Sequence, residues 1–283
     1  MVNIMLGILY GVLAAVLPAV SLLAWTWVFT RFFPYSRREF AKVVFLKGAD
    51  RTLYYIMLGM VPIFFLTVSL VSAGLSFVGE GMFLFIVYLF DPAISNASQV
   101  IVGMSAGPIE ESMKLLAAGL IFMTIHLIWK KVPAKEQREV KRDTVKDGII
   151  IGVFAGASFG FLESILYLFA HFVQLSADGV SFILMDLIIW RFVLGVFVHA
   201  LYTGIASAGL GRRTFGNKAL VTSIALSISV ILHSLNNGIV GYISLMTDLD
   251  DAIGVAISDV LQVSLILVGI VIFIFAWKTS RKF

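Results

Sequence analysis

Glu110, Glu111 and Lys114 stand in Pro108-Ile109-Glu110-Glu111-Ser112-Met113-Lys114, in the middle of a long apolar segment. Each such charge costs roughly 3 kcal/mol to place in hydrocarbon, so residues of this kind persist where they pair with one another or do chemistry. Other apolar segments carry Glu163 in Phe159-Gly160-Phe161-Leu162-Glu163, His199 in His199-Ala200-Leu201-Tyr202-Thr203, and His233 in His233-Ser234-Leu235-Asn236-Asn237. Two imidazoles and several carboxylates suit the activation of water, with one carboxylate taking a proton and passing it to a leaving group. In one version His199, His233 and a glutamate ligate a divalent metal such as Zn²⁺, and the metal generates hydroxide. In the other no metal is present, and histidine and Asn237 donate hydrogen bonds to the developing oxyanion. The residue types leave both versions open.

These groups must be positioned by membrane helices. The chain of 283 residues is 60% hydrophobic and only 13% charged, against about 25% charged in soluble domains, and its mean hydropathy is +1.00. It contains no cysteine, which excludes disulfides, thiolate nucleophiles and Cys-ligated metals. The N-terminus lacks the basic start of a signal peptide, so the first apolar stretch reads as a retained helix. A span needs about 20 apolar residues. Seven segments meet this, near 4–29, 53–76, 98–129, 148–174, 187–210, 219–245 and 252–277. Met82–Phe90 is too short to cross and reads as an interfacial or re-entrant helix, with Glu80 and Asp91-Pro92 on either side. The expected fold is all-α and polytopic: one membrane domain over 1–283, with its chemistry in a core of spans three to six, roughly 98–245.

Apart from Lys114 and Arg191, every Lys and Arg lies in 31–51, 130–147, 212–218 or the tail from Lys278. The alternate connections carry only acidic charge. The positive-inside rule then puts the N-terminus outside and the C-terminus in the cytoplasm. The net charge of +4 therefore reports orientation in a bilayer, and no nucleic-acid partner is implied.

Counted from the span ends, Glu110, Glu163, His199 and His233 all lie roughly 12–15 residues deep, about 18–23 Å at the helical rise. Gly152, Gly156 and Gly160 form a small-residue stripe leading to Glu163. Gly195, His199, Thr203 and Ser207 recur at i, i+4 on one face, as do His233, Asn237 and Gly241. Pro108 should kink its helix just before the glutamates. Plainer roles exist for each part. Lys114 with Glu110 and Glu111 could be a buried ion pair, a lone histidine could be an interhelical hydrogen-bond partner, and the glycines fit packing better than chemistry. Asp259 could face the same interior or pair with Arg191. The weight rests on the conjunction.

The ordered set Glu-Glu-x-x-Lys, Phe-Gly-Phe-x-Glu, His-Ala-x-x-Thr and His-x-x-x-Asn resembles the PrsW family of polytopic membrane proteases, relatives of the type II CAAX-prenyl proteases within the ABI superfamily. The resemblance covers roughly residues 100–245. Where the CAAX enzymes carry Glu-Glu-x-x-x-Arg and Phe-x-x-x-His, this chain has Lys114 one residue earlier and Glu163 in place of histidine, which favours the PrsW branch. The residue before Asn237 is Asn236, where the family usually has an aromatic. The resemblance implies a membrane-embedded endopeptidase of a prokaryotic plasma membrane, acting on a membrane-anchored protein such as an anti-sigma factor. It implies that Glu110 and Glu111 supply a general base and its partner, that Glu163, His199 and His233 are catalytic or metal-binding, and that Lys114, Thr203 and Asn237 assist. Other readings stay open: a proton-coupled transporter using the Glu/His/Lys cluster as a relay, a CAAX-like prenyl-protein protease, or a noncatalytic scaffold with polar glue.

Overall fold

A computed structural model describes residues 51–129, 144–178, 194–211, 215–240, 243 and 252–279, together with Val16 and Val20. The expected first span apart from Val16 and Val20, the basic stretch 130–143 and Arg191 fall outside the described residues. All regular structure within them is helical: α1 (Arg51–Phe90), α2 (Asn96–Trp129), α3 (Thr144–Asp178), α4 (Val196–Ala206) ending in a 3-10 turn at Ser207–Gly209, α5 (Phe215–Leu235) running into a π-helical turn at Asn236–Val240, and α6 (Ala252–Thr279). Helices are what hydrocarbon permits, because they satisfy every interior backbone group within one segment.

Among the described residues, four stretches are long and apolar enough to cross a membrane: Thr67–Phe90, Val145–Leu166, Ala219–Ile239 and Ala256–Thr279. The 34-residue α2 has the length, but Glu110, Glu111 and Lys114 at its centre lower its hydropathy. The described part of the expected fifth span holds the shorter apolar stretch Val196–Gly209.

One expectation is corrected. Met82–Phe90 is the last quarter of α1, which runs unbroken for 40 residues, about 60 Å at 1.5 Å per residue. No proline lies between Pro62 and Pro92. Gly79 and Gly81 cost only about 1 kcal/mol each in helix propensity, and a break in hydrocarbon would cost more in bare backbone groups. Glu80 is therefore inside a helix and not in an outer connection.

The molecule is polar inside and apolar outside. Phe77, Met82, Val271 and Phe275 stand exposed on the outer faces, while Glu110, Glu111, Lys114, His199 and His233 are buried. Lipid tails are as apolar as leucine, so close packing and interhelical hydrogen bonds, rather than exclusion of water, hold such helices together. α3 packs along α4, and Gly156 and Gly160 make this possible. A Cβ on Gly156 would overlap the His199 carbonyl, and one on Gly160 would meet His199 Cδ2 at 2.8 Å. Ile149, Val153, Val196, Leu201, Tyr202, Ile205 and Phe273 fill the core between α3, α4 and α6. A second cluster of Ala118, Ile121, Phe122, Ile151 and Ala155 joins α2 to α3.

Candidate active site

Pro108 lies inside α2. Its missing N–H frees the carbonyl of Met104, four residues back. Ser234 Oγ on α5 donates to that carbonyl at 2.7 Å. Gly107 has no side chain to block this approach, since a Cβ there would meet the Val230 carbonyl at 2.7 Å. The proline thus creates an acceptor that ties α2 to α5 one turn before Glu110, and His233 sits next to the donor in sequence.

Lys114 Nζ occupies the middle of the cluster. It donates to Glu110 Oε2 at 2.7 Å, Glu111 Oε1 at 2.9 Å and His199 Nδ1 at 2.7 Å. An ammonium has three protons, so these bonds saturate it. The Phe159 ring covers it, with its centroid 4.1 Å away, a cation–π contact that adds to the pairing.

Because Lys114 is a pure donor, His199 Nδ1 must accept, and the proton of the ring sits on Nε2. That Nε2–H donates to Glu163 Oε2 at 2.5 Å. His233 is held in the opposite tautomer. Its Nδ1–H donates to Glu111 Oε1 at 2.8 Å, which leaves Nε2 to accept from Asn237 Nδ2 at 3.2 Å. The π-helical turn that carries Asn237 presses on α2 at Gly103, where a Cβ would meet the Asn237 carbonyl at 2.9 Å. Glu111 is bonded on both oxygens. Besides Lys114 and His233, its Oε2 accepts from Thr203 Oγ1 at 3.2 Å and lies 3.1 Å from Ser229 Oγ. The Ser229 hydroxyl is also 2.7 Å from the Tyr202 carbonyl, so one proton serves two acceptors.

The acceptor nitrogens of the two histidines face one carboxylate oxygen. Glu110 Oε2 is 3.8 Å from His199 Nδ1 and 3.7 Å from His233 Nε2, and the three ligand atoms lie within 4.8 Å of one another. One carboxylate and two imidazoles make a donor set suited to a catalytic zinc ion. The remaining nitrogen of each ring bonds a carboxylate, Glu163 or Glu111, an arrangement that orients metal-bound histidines and raises their basicity. The residues therefore fit a divalent ion, with Glu110 in the place that the sequence reading gave to Glu163. Glu163 stands on the far side of His199. Two of the three donor atoms are held by the Lys114 ammonium, so an ion there requires Lys114 to release them.

All seven residues singled out in the sequence meet here: Glu110, Glu111, Lys114, Glu163, His199, His233 and Asn237. Asp259 is half-buried on α6. Three further members were not foreseen. Ser229 precedes His233 by four residues, and that same spacing was the available signal. Phe159 belongs to a quoted motif, where it was given no role of its own. Glu80 was hidden by its assignment to a connection. A Cβ on its neighbour Gly79 would meet Ile109 Cγ2 at 3.0 Å, which sets Glu80 against the Glu110 stretch of α2, within electrostatic range of Glu110, Glu163 and Lys114.

A model of the PrsW family of intramembrane metalloproteases matches residues 54–277, most of the chain. The chain belongs to the PrsW family. That match makes it a membrane-embedded protease, and the intramembrane setting implies a protein substrate within the membrane. No curated protein and no solved structure matches the chain. The PrsW match covers α1 almost entirely, and with it Glu80, as well as the helices that carry the four motifs.

Proposed function

We propose that this PrsW protein is an endopeptidase that hydrolyses a peptide bond of a membrane-anchored substrate at the Glu110–His199–His233 cluster. The observation that carries this is the convergence of those three ligand atoms within 4.8 Å, each histidine being backed by its own carboxylate. Glu110, His199 and His233 would hold a divalent ion, Zn²⁺ being the proposed one, which when bound polarises a carbonyl and acidifies water.

The chain's own groups do the rest. Glu110 takes a proton from the attacking water and returns it to the leaving amine, the role in which a positioned carboxylate is worth about 10²–10⁴-fold. Glu111, bonded on both oxygens, orients His233 and is a positioning group. Glu163 fixes the tautomer of His199. Asn237, whose amide reaches His233 Nε2 at 3.2 Å, would donate to the developing oxyanion, a role worth about 10²–10³-fold. Lys114 balances the carboxylates while the cluster awaits substrate.

A metal-free form of the same hydrolysis is the second reading, favoured by the Lys114 ammonium already bridging Glu110 and His199 at 2.7 Å each. Chelation separates the two. Full cleavage by protein shown metal-free by elemental analysis would remove the ion from the reaction.

The wider assignment includes seven spans in one membrane domain, an external N-terminus, a cytoplasmic C-terminus, a prokaryotic plasma membrane, kinship with the ABI superfamily and an anti-sigma-factor-like substrate. The charge distribution of the loops and the motif order support these. The deciding experiment incubates purified protein with single-pass membrane substrates. Wild type should cleave and Glu110→Gln should not. Equal cleavage by the two, or cleavage by neither, would sink the proposal.

A further inference from the structure

Three buried hydroxyls on α1 have no hydrogen-bond partner among the described residues: Ser69, Ser72 and Ser76, exposed by 1%, 4% and 1%. A buried hydroxyl without a partner costs roughly 1–3 kcal/mol in proteins. Serines in hydrocarbon commonly relieve this cost by bonding a carbonyl of their own helix. Several here do so: Ser164 donates to the Gly160 carbonyl at 2.7 Å and Ser264 to that of Val260 at 2.7 Å. The α1 serines do not.

Their spacing adds direction. Positions 69, 72, 76 and 80 advance by three, four and four residues, which keeps them on one helical face. Ser69 to Ser76 spans about 10 Å along the axis, and Glu80 comes one turn further. At that level α1 meets α2, where a Cβ on Gly79 would lie 3.0 Å from Ile109 Cγ2, so Glu80 and Glu110 are neighbours across the contact. α1 packs on both α2 and α3, so this face looks into the bundle and not toward lipid. A stripe of unpartnered hydroxyls that ends on a carboxyl pair has the donors and acceptors that ordered water needs, two to four per molecule. A hydrolase whose cluster is buried among apolar helices consumes one water per turnover and must admit it through the bundle.

We propose that the Ser69–Ser72–Ser76–Glu80 face of α1 is a hydrated path that delivers water to the Glu110 carboxyl. This rests on the hydrolytic reading of the cluster given above. Glu80 is the positioning residue at its inner end, and the three hydroxyls are its rungs. Ala73, one turn on from Ser69 and also buried, flanks the row with a methyl group.

The chain has no cysteine, which gives a clean background for a test that needs no activity. Ser69→Cys, Ser72→Cys and Ser76→Cys, made singly, are treated in membranes with a charged methanethiosulfonate reagent, which reacts with hydrated thiolate. The controls are Leu70→Cys and Leu75→Cys, on the lipid-facing side with 58% and 49% exposure. The three serine positions should label at least about tenfold faster than the controls, as thiolate chemistry requires water. Labelling no faster than at the controls overturns the path.

The second arm measures turnover of the Ser69→Ala/Ser72→Ala/Ser76→Ala protein. Alanine keeps the small volume and removes the hydroxyls, so kcat should fall by about tenfold or more with KM and Tm unchanged. Wild-type turnover would show that the stripe only packs, and would overturn the proposal. Glu80→Leu should behave like the triple variant, with Glu80→Gln restoring most of kcat because the amide still binds water. If neither wild type nor Glu110→Gln cleaves any substrate, the protease assignment of the cluster falls, and the labelling arm alone then decides whether the path exists.

Discussion

Lys114 is the residue on which the cluster balances. It donates all three protons, to Glu110, Glu111 and His199, and its side chain is fully buried. Removing one member of a buried charged network leaves the others uncompensated, at about 3–5 kcal/mol. Lys114→Met should therefore lower the Tm of the detergent-solubilised protein sharply. Treatment with a chelator should lower the wild-type Tm less than Lys114→Met does, because the ammonium takes up the carboxylates once the ion leaves. A large chelator-induced drop would mean that an ion, and not Lys114, holds the helices together. Glu111 and Glu110 should also separate. Glu111 is bonded to Lys114, His233, Thr203 and Ser229, so Glu111→Ala should lower Tm more than Glu110→Ala does, while both abolish cleavage. His199→Ala and His233→Ala should each abolish cleavage and lower the metal content found by elemental analysis. Retained content in both would take the histidines out of the ligand set.

At the scale of elements, the helices owe their placement to a few backbone events. Pro108 leaves the Met104 carbonyl bare, and Ser234 covers it. Ser234→Ala should cost about 1–3 kcal/mol, the penalty of an unsatisfied buried acceptor. Pro108→Ala restores the intrahelical bond, so the double variant should recover much of that loss. Additive effects in the thermodynamic cycle would refute the coupling. Gly160 admits His199, so Gly160→Ala should push the imidazole aside and lower kcat by about 10²-fold, with the overall helix content by circular dichroism unchanged.

Between α1 and α2, Asp91 Oδ2 accepts from the Ser95 backbone N–H at 2.7 Å and the Ser98 hydroxyl at 2.5 Å. Hydrogen bonds from Ser95, then Ser98, hold its carboxyl below the usual carboxylate range. A lowered value means that the stabilisation is present above the ordinary carboxylate range and disappears as pH falls through the lowered one. Asp91→Ala should lower Tm near neutral pH, and the gap to wild type should close only in strong acid. A gap that persists there would assign the effect to something other than the ionised carboxyl.

At the scale of the whole molecule, apolar residues face outward and charges face inward, the pattern expected where the solvent is a bilayer. The proposed orientation has a direct check. A reporter fused after Lys282 should read as cytoplasmic, and one inserted near Asp250 as external. The reversed result would overturn the assignment of the basic loops to the inner side.

Membership of a membrane-embedded, all-helical class was legible from composition alone, because exclusion of charge from hydrocarbon is a bulk property that any window of residues reports. Seven members of the cluster were legible too, since an ionisable or amide group in an apolar helix is conspicuous whatever it touches. The four-residue spacing of Ser229, His233 and Asn237 carried the same information, though Ser229 was not read from it. What the sequence could not decide was which atom faces which. Glu110 and Glu163 are both buried-helix glutamates at similar depth, and only the packing of α2, α3 and α4 puts Glu110 between the two imidazoles and Glu163 behind one of them. The same holds for Glu80. Two glycines and a charge look like a turn when local propensity is all that is known. In a continuous helix packed against α2, that charge lands beside Glu110, because the cost of breaking a helix in lipid exceeds the cost of the glycines. Depth and residue type are written along the chain, but facing depends on rotations and crossings of helices fixed by contacts distant in sequence.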